Sequence, residues 1–127
     1  MEHLKYLNVL HYNNKIRLGC KKDGGYVIAN VPKYDCYISA GVYNEESFSR
    51  DFINKFKMNK YNSFAFDGTI KSYPYKYTKN ITFIKKNISS HKNNNKVNLH
   101  GLINHYNNIF LKMDIEGCEY DWLLSFN

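Results

Sequence analysis

The feature that most constrains the fold is the alternation of short apolar runs with amphipathic stretches from residue 35 onward. Four runs have the length and composition of buried β-strands, and three stretches have helical spacing. The predicted strands are 34–41, 61–69, 81–89 and 107–117, and the predicted helices are 45–57, 99–106 and a last one that begins at 118. Strands that alternate with helices form parallel β-α-β units with right-handed crossovers. The sequence therefore predicts an α/β fold with a mostly parallel sheet and flanking helices.

Three of the four predicted strands end in glycine or acidic residues. The first ends at Gly41, the second at Asp67-Gly68, and the fourth at Asp-Ile-Glu-Gly, residues 114–117. Ligands of open α/β sheets bind outside the carboxyl ends of the strands, where these residues would meet. The strand ends therefore predict one ligand site at this edge of the sheet.

The first predicted helix follows soon after Gly41. Asn44 has a side chain suited to the N-cap, and Glu45 and Glu46 fall in the first turn, where acidic residues complement the helix dipole. One face of this helix is apolar, with Phe48, Phe52, Ile53 and Phe56 at helical spacing. This pattern predicts a helix that packs on the sheet and begins beside the ligand site.

A separate N-terminal segment precedes the alternating region. Residues 1–14 read as a short helix or an irregular arm, and Asp23-Gly24-Gly25 has the turn chemistry of a β-hairpin. We assign 1–33 to the arm and hairpin and 34–127 to the main part of one domain, because 127 residues support one modest core.

The composition limits the class of protein. A formal net charge of +7 favours anionic partners such as RNA or DNA, although the lysines are scattered along the chain. The three cysteines are far apart, which predicts neither a zinc site nor a disulfide framework and favours a reducing, cytoplasmic setting. No apolar run approaches the roughly 20 residues that span a bilayer, so we expect no membrane span.

The turn after Gly41 indicates which ligand the site takes. It has a single glycine and lacks the pattern of a phosphate-binding turn, and the chain has no Walker A loop. Glu45 and Glu46 would repel a pyrophosphate, because two like charges about 4 Å apart cost roughly 4 kcal/mol at an effective dielectric constant of about 20. A cationic cofactor without phosphate fits better, and S-adenosylmethionine is one. Alternatively, these glutamates only complement the helix dipole.

The end of the second strand supports an adenosine cofactor. Asp67 lies where a carboxylate accepts both ribose hydroxyls in nucleotide-binding α/β folds. The alternative is that Asp67 only starts a turn with Gly68.

Several segments together resemble the class I S-adenosylmethionine-dependent methyltransferases, and the FkbM-like family among them. The similar segments are DGGYVI, YISAGVYNEESFSRDF, FAFDGT and FLKMDIEGCEYDWL, which lie within residues 17–126. The most specific match is the pattern Lys-x-Asp-[Ile/Val]-Glu-Gly-x-Glu, which residues 112–119 satisfy. The resemblance implies a Rossmann-like fold and transfer of a methyl group, most often to a hydroxyl oxygen.

The resemblance also implies roles for individual residues. The methionine part of the cofactor would be lined by Ala40, Gly41, Val42, Asn44, Glu45 and Glu46. The ribose would be bound by Asp67 with Gly68 and Thr69 beside it, and the adenine would lie near Asn87 and Ile88. Asp114 would face the transferred methyl group and Glu116 would lie nearby. If these two acids alternate along one strand, their side chains point to the same side and either can accept a proton from the acceptor; Glu116 alternatively caps the next helix.

The methyl acceptor and the completeness of the domain stay open at this point. A small molecule, a glycan or lipid-linked sugar, and an RNA hydroxyl are all compatible acceptors, and no metal site is indicated. The chain ends after the fourth strand of the family's sheet, which implies an incomplete domain whose last strand, 107–117, is an apolar edge completed by a homodimer or another partner. The alternatives are a decayed or incomplete cofactor-binding domain and a basic nucleic-acid-binding protein.

Overall fold

The computed structural model of the protein describes residues 11–126 and contains eight strands and three helices within that range. The elements of the N-terminal half are β1 (Lys15–Leu18), β2 (Tyr26–Ala29), β3 (Cys36–Ala40), α1 (Ser47–Phe56) and β4 (Ser63–Phe66). The remaining elements are β5 (Thr82–Ile84), β6 (Asn87–Ile88), β7 (Lys96–Val97), α2 (His100–His105), β8 (Ile109–Met113) and α3 (Glu119–Leu124). The prediction for residues 1–14 falls mostly outside the described residues.

The main sheet has four parallel strands in the order β5-β4-β3-β8. β3 lies at the centre, and all five of its residues are buried. A strand covered on both faces reads as a continuous apolar run, which explains why Cys36–Ala40 shows little polar alternation. The prediction of an α/β fold with a parallel sheet is confirmed.

The two faces of the sheet carry separate apolar cores. Tyr37 of β3 points to the face covered by α1, where it stacks on Phe52 with ring centroids 4.7 Å apart. Ile38, the next residue of β3, points to the opposite face, where Leu99 and Trp122 cover it. Because successive side chains of a strand point to opposite faces, one buried strand joins both cores.

The N-terminal hairpin is confirmed and packs against the start of α1. β1 and β2 pair antiparallel, with Leu18 opposite Tyr26. The Gly19 amide donates to Asp51 Oδ2 at 2.9 Å, and the Cys20 amide donates to Ser47 Oγ at 2.9 Å. These two hydrogen bonds hold the hairpin turn at the carboxyl-end edge of the sheet.

The third predicted strand, 81–89, is wrong in its extent. Only Thr82–Ile84 joins the main sheet, and the Lys86 amide then donates to the Ile84 carbonyl in a tight turn at 2.8 Å. Asn87–Ile88 forms a separate short strand that pairs in parallel with Lys96–Val97. No helix within residues 11–126 has the length and apolar character needed to cross a membrane.

Candidate functional site

A cavity of about 760 Å³, called here the main cavity, opens at the carboxyl ends of β3, β4 and β8. Most of the residues that the sequence assigned to a site line it, namely Gly41, Val42, Asn44, Glu45, Asp67, Thr69, Asn87, Ile88, Asp114 and Glu116. Ala40, Glu46 and Gly68 do not line it. Parallel strands bring their carboxyl ends to one edge of the sheet, so the predicted segments meet although they are far apart in sequence.

The turn after β3 requires glycine at its first position. Gly41 has a φ of +84°, and a Cβ there would lie 1.9 Å from the Asp114 carbonyl oxygen. Main-chain hydrogen bonds hold both of these segments in place: the Gly41 amide donates to the Phe66 carbonyl and the Asp114 amide donates to the Ala40 carbonyl, each at 2.9 Å. This close passage of the two strand ends forms the floor of the main cavity.

Asp67 holds the Gly41 turn in place. Its Oδ2 accepts the amides of Val42 and Tyr43, each at 3.0 Å, and its Oδ1 accepts the amide and hydroxyl of Thr69 at 2.8 and 2.6 Å. Burial alone would raise the pKa of Asp67, but these hydrogen bonds together outweigh burial and lower the pKa below its ordinary value. The carboxylate is therefore held in its charged form by the chain itself.

The same contacts bear on the predicted ribose contact of Asp67. A carboxylate offers about four lone-pair positions, and four donors of the chain already use them. Two ribose hydroxyls would have to displace donors from Val42, Tyr43 or Thr69. The ribose role of Asp67 stays a prediction, and it requires that this turn rearrange when the ribose binds.

Glu45 and Glu46, which the sequence treated alike, have different environments. Glu45 lines the main cavity, and its Oε1 accepts the Ser47 amide at 2.7 Å while its Oε2 accepts the Tyr77 hydroxyl at 3.4 Å. Burial alone would raise the pKa of Glu45, but these hydrogen bonds outweigh burial and lower the pKa below its ordinary value. Glu45 thus brings a negative charge to the cavity wall while it satisfies an amide at the start of α1.

Glu46 lies beneath the sheet, away from the cavity. Its side chain is fully buried, and Oε2 accepts the Ser39 hydroxyl at 3.2 Å and pairs with Lys112 Nζ at 3.4 Å. Its Oε1 has no hydrogen-bond partner among the described residues. Burial raises the pKa of Glu46, and Lys112 opposes that shift.

The predicted start of α1 was wrong by two residues. The helix begins at Ser47, with Glu46 as the N-cap residue, so Asn44 is not the N-cap and neither glutamate lies in the first turn. The side chain of Glu46 satisfies no cap amide; it turns into the core toward Lys112 instead. A local pattern of acidic residues cannot reveal this preference for a distant lysine.

The acidic motif after β8 also differs from its prediction. β8 ends at Met113, and Glu116 and Gly117 have φ values of 59° and 97°, so Asp114 and Glu116 do not alternate along a strand. Both acids are nevertheless exposed and line the main cavity. The amides just before α3 donate to the Glu119 side chain, Ile115 at 2.8 Å and Gly117 at 2.9 Å, and not to Glu116.

The predicted adenine-side residues lie where β6 approaches the end of β4. Asn87 Oδ1 accepts the Gly68 amide at 2.8 Å, which ties the two segments together. Ile88 is buried and contributes an apolar wall to the main cavity. Gly68 stays outside the lining, and a Cβ there would lie 2.7 Å from the Asn87 amide group.

Some lining residues carried no predicted role. Lys112, Phe66, Ile115 and Cys118 line the main cavity, and the sequence analysis assigned a site role to none of them. Lys112 alternates with Phe110 on β8, a pattern that places both on the face covered by α1. That alternation is the signal that could have indicated a buried partner for Lys112.

The charge of the cavity lining is opposite to that of the chain. Among the described residues that line it, five are acidic and one is basic: Asp23, Glu45, Asp67, Asp114, Glu116 and Lys112. The chain as a whole has a formal charge of +7. Within residues 11–126, no group of three or more His, Cys, Asp or Glu side chains is arranged to hold a metal ion.

Comparison of the chain with protein-family models, with curated proteins and with solved structures finds no match. The interpretation of the site therefore rests on its own residues and their geometry.

Proposed function

We propose that this α/β domain is a Rossmann-like, S-adenosylmethionine-dependent methyltransferase domain of the FkbM-like type that transfers a methyl group to a hydroxyl oxygen. The observation that carries the proposal is the acid-rich main cavity at the carboxyl ends of three parallel strands. The position is the usual ligand site of open α/β sheets, and about 760 Å³ is within the roughly 300–1,000 Å³ of small-molecule pockets.

The charge of the cavity favours a cationic cofactor over a phosphate-bearing one. The only basic side chain among the described lining residues is Lys112, and it is already paired with Glu46. A dinucleotide or nucleoside triphosphate would bring several negative charges next to Glu45, Asp114 and Glu116, each repelling it by roughly 1–4 kcal/mol at close range. A sulfonium and an ammonium group would instead be attracted.

The described residues fit such a cofactor in outline. Glu45 and the Gly41 turn would hold the methionine part, and the apolar wall at Ile88 would face the adenine. When bound, the cofactor supplies a methyl group on a positively charged sulfur, which makes displacement by an oxygen nucleophile favourable. Asp114 and Glu116, exposed on the same wall, would orient the acceptor hydroxyl and take its proton.

Calorimetric titration tests the proposal. We expect the purified chain to bind S-adenosylmethionine and S-adenosylhomocysteine, and to bind ATP and NAD much more weakly. Glu116→Gln should weaken S-adenosylmethionine more than S-adenosylhomocysteine, because only the former has the sulfonium charge. Asp121→Asn is the matched control, since Asp121 is an exposed acid on α3 that does not line the main cavity. Preferential binding of ATP or NAD would refute the proposal.

One alternative function has a specific observation in its favour. The four donors on Asp67 leave no free acceptor for a ribose, as in a domain that keeps the fold and no longer binds the cofactor. Such a decayed domain would bind neither adenosine compound while remaining folded. Salt-dependent binding of RNA by a chain that ignores both compounds would instead indicate the basic nucleic-acid-binding alternative.

A further inference from the structure

A second cavity, called here the side cavity, adjoins the main cavity beside β8. Its volume is about 370 Å³. The two cavities share three lining residues, Tyr26, Lys112 and Asp114. A ligand in the side cavity would therefore lie against the same wall that presents Asp114 to the main cavity.

The lining of the side cavity is mainly aromatic and aliphatic. Besides the three shared residues it consists of Phe48, Phe110, Leu111 and Met113. Phe48 lies at the centre of an aromatic group, with its ring centroid 5.5 Å from that of Tyr26 in an edge-on arrangement and 5.6 Å from that of Phe110. Aromatic rings prefer such edge-on and offset contacts with further rings, so this wall suits an aromatic ligand.

The polar groups of the side cavity lie at the end that it shares with the main cavity. Tyr26 and Asp114 both line this shared end, where burial raises the pKa of Tyr26 and the charges of Asp23 and Asp114 raise it further. Lys112 is tied to Glu46 and is not free to receive a phosphate. The side cavity thus combines an apolar body with a polar end at Asp114.

We propose that the side cavity is the acceptor subsite of this chain and that the acceptor is a small phenol. Its ring would lie against Tyr26 and Phe110, in front of the buried Phe48, with its hydroxyl at the Asp114 end. This inference rests on the proposed function and narrows the acceptor class: the subsite has no free cation for an RNA phosphate and few polar groups for a sugar.

A phenol also suits the chemistry available at that end. Methyl transfer forms a bond between the acceptor oxygen and the methyl carbon and breaks the carbon–sulfur bond, whose electron pair stays on sulfur; the phenolic proton passes to the Asp114 carboxylate. A carboxylate is a weak base, and a phenol with an ordinary pKa of about 10 gives up its proton far more readily than an aliphatic alcohol.

A methionine methyl group provides a direct test that needs no cofactor. Met113 lines the side cavity, whereas Met58 is buried in the core and lines neither cavity. In a chain with ¹³C-labelled methionine methyl groups, p-cresol should shift the Met113 signal in a saturable manner and leave the Met58 signal unchanged. Cyclohexanol and ribose should shift the Met113 signal less at equal concentration.

A pair of matched variants separates the subsite from general effects. Leu111→Trp adds an indole at the wall of the side cavity and should weaken p-cresol binding about tenfold or more, which is at least 1.4 kcal/mol. Val27→Trp adds the same group on an exposed residue outside both cavities and should leave binding unchanged. If Leu111→Trp does not fold, Tyr26→Ala, which removes a half-exposed wall residue, replaces it and should weaken binding likewise.

The outcomes distinguish the subsite from the proposed function. Unchanged Met113 signals with p-cresol, in a chain that binds S-adenosylhomocysteine, would overturn the subsite alone. A Met113 signal that instead moves with protein concentration would also overturn it, because a second copy would then cover the side cavity. Saturable p-cresol binding by a chain that ignores S-adenosylhomocysteine would support a phenol site and contradict the methyltransferase proposal.

Discussion

Replacing Gly41 by alanine tests the close passage of β3 and β8 that forms the floor of the main cavity. The new Cβ would lie 1.9 Å from the Asp114 carbonyl oxygen, and Gly41 has a φ of +84°. The obstacle is main chain rather than a flexible side chain, and hydrogen bonds to Ala40 and Phe66 hold that main chain on both sides. The substitution therefore requires the two strand ends to separate.

The cost has two parts that can be sized separately. An alanine in this left-handed region costs about 1–2 kcal/mol. Forcing the strand ends apart by about 1 Å or more adds roughly 1–3 kcal/mol, as other overpacking changes do. We expect Gly41→Ala to lower the free energy of unfolding by about 2–5 kcal/mol, a large share of the roughly 5–15 kcal/mol of a typical domain.

Two other glycines supply matched controls. Gly117 has a φ of +97°, but a Cβ there meets no atom within 4 Å, so Gly117→Ala should show the backbone cost of about 1–2 kcal/mol alone. Gly101 lies in α2, also with nothing within 4 Å, and Gly101→Ala should stabilise by up to about 1 kcal/mol. Of these three glycines, Gly41 alone combines the strained backbone with a collision.

Urea denaturation followed by circular dichroism measures all three differences on one scale. The expected order of midpoints is Gly101→Ala above the parent chain, then Gly117→Ala, then Gly41→Ala. If Gly41→Ala were no less stable than Gly117→Ala, the close approach of Gly41 to Asp114 would be refuted, and the floor of the main cavity would have to be wider than described.

Three further predictions concern charged groups. Asp67→Asn should lower the free energy of unfolding by about 2–3 kcal/mol at pH 7. Because the folded-state pKa of Asp67 is lowered, its stabilising contribution is present above about pH 4 and is lost as the pH falls through that lowered pKa. The urea midpoints of the parent chain and the variant should therefore converge in acid. Lys112→Met should lower the free energy of unfolding by about 3–5 kcal/mol, because it leaves Glu46 buried without a counter-charge. Adding Glu46→Gln should recover most of that stability, and no recovery would mean that Lys112 acts through packing instead. Asp51→Ala removes the acceptor of the Gly19 amide, so hydrogen exchange of that amide should accelerate and the free energy of unfolding should fall by about 1 kcal/mol. Unchanged exchange would show that this hydrogen bond does not hold the hairpin.

The strand framework could be predicted from the sequence because it depends on local patterns. The buried run at Cys36–Ala40, the apolar face of α1 and the turn residues at Asp23-Gly24-Gly25 each have a signature within a few residues. The position of the main cavity followed as well, since parallel strands bring Gly41, Asp67 and the 114–117 segment to one edge.

The errors arose where distant contacts override a local pattern. Asn44 and Glu46 look like helix-start residues, yet Glu46 turns into the core because Lys112 on β8 offers a buried counter-charge. The run 81–89 looks like one strand, yet Asn87–Ile88 leaves the sheet to pair with 96–97. The positive φ of Glu116 likewise breaks the alternation expected after Asp114. None of these contacts is between sequence neighbours, and the alternation of Lys112 with Phe110 on β8 was the one local signal that Lys112 has a buried partner.

The place of β3 in the sheet has a consequence for the synthesis of the chain. One edge of β3 pairs with β4, through Tyr37 opposite Ser63, whereas the other edge pairs with β8, through Cys36 opposite Ile109. At a translation rate of about 5–20 residues per second, β8 leaves the ribosome roughly 4–15 s after β3. Throughout that interval the fully buried central strand has one open apolar edge, which can template pairing with another nascent chain. The yield of folded protein should therefore depend on chaperones that shield this edge until β8 arrives.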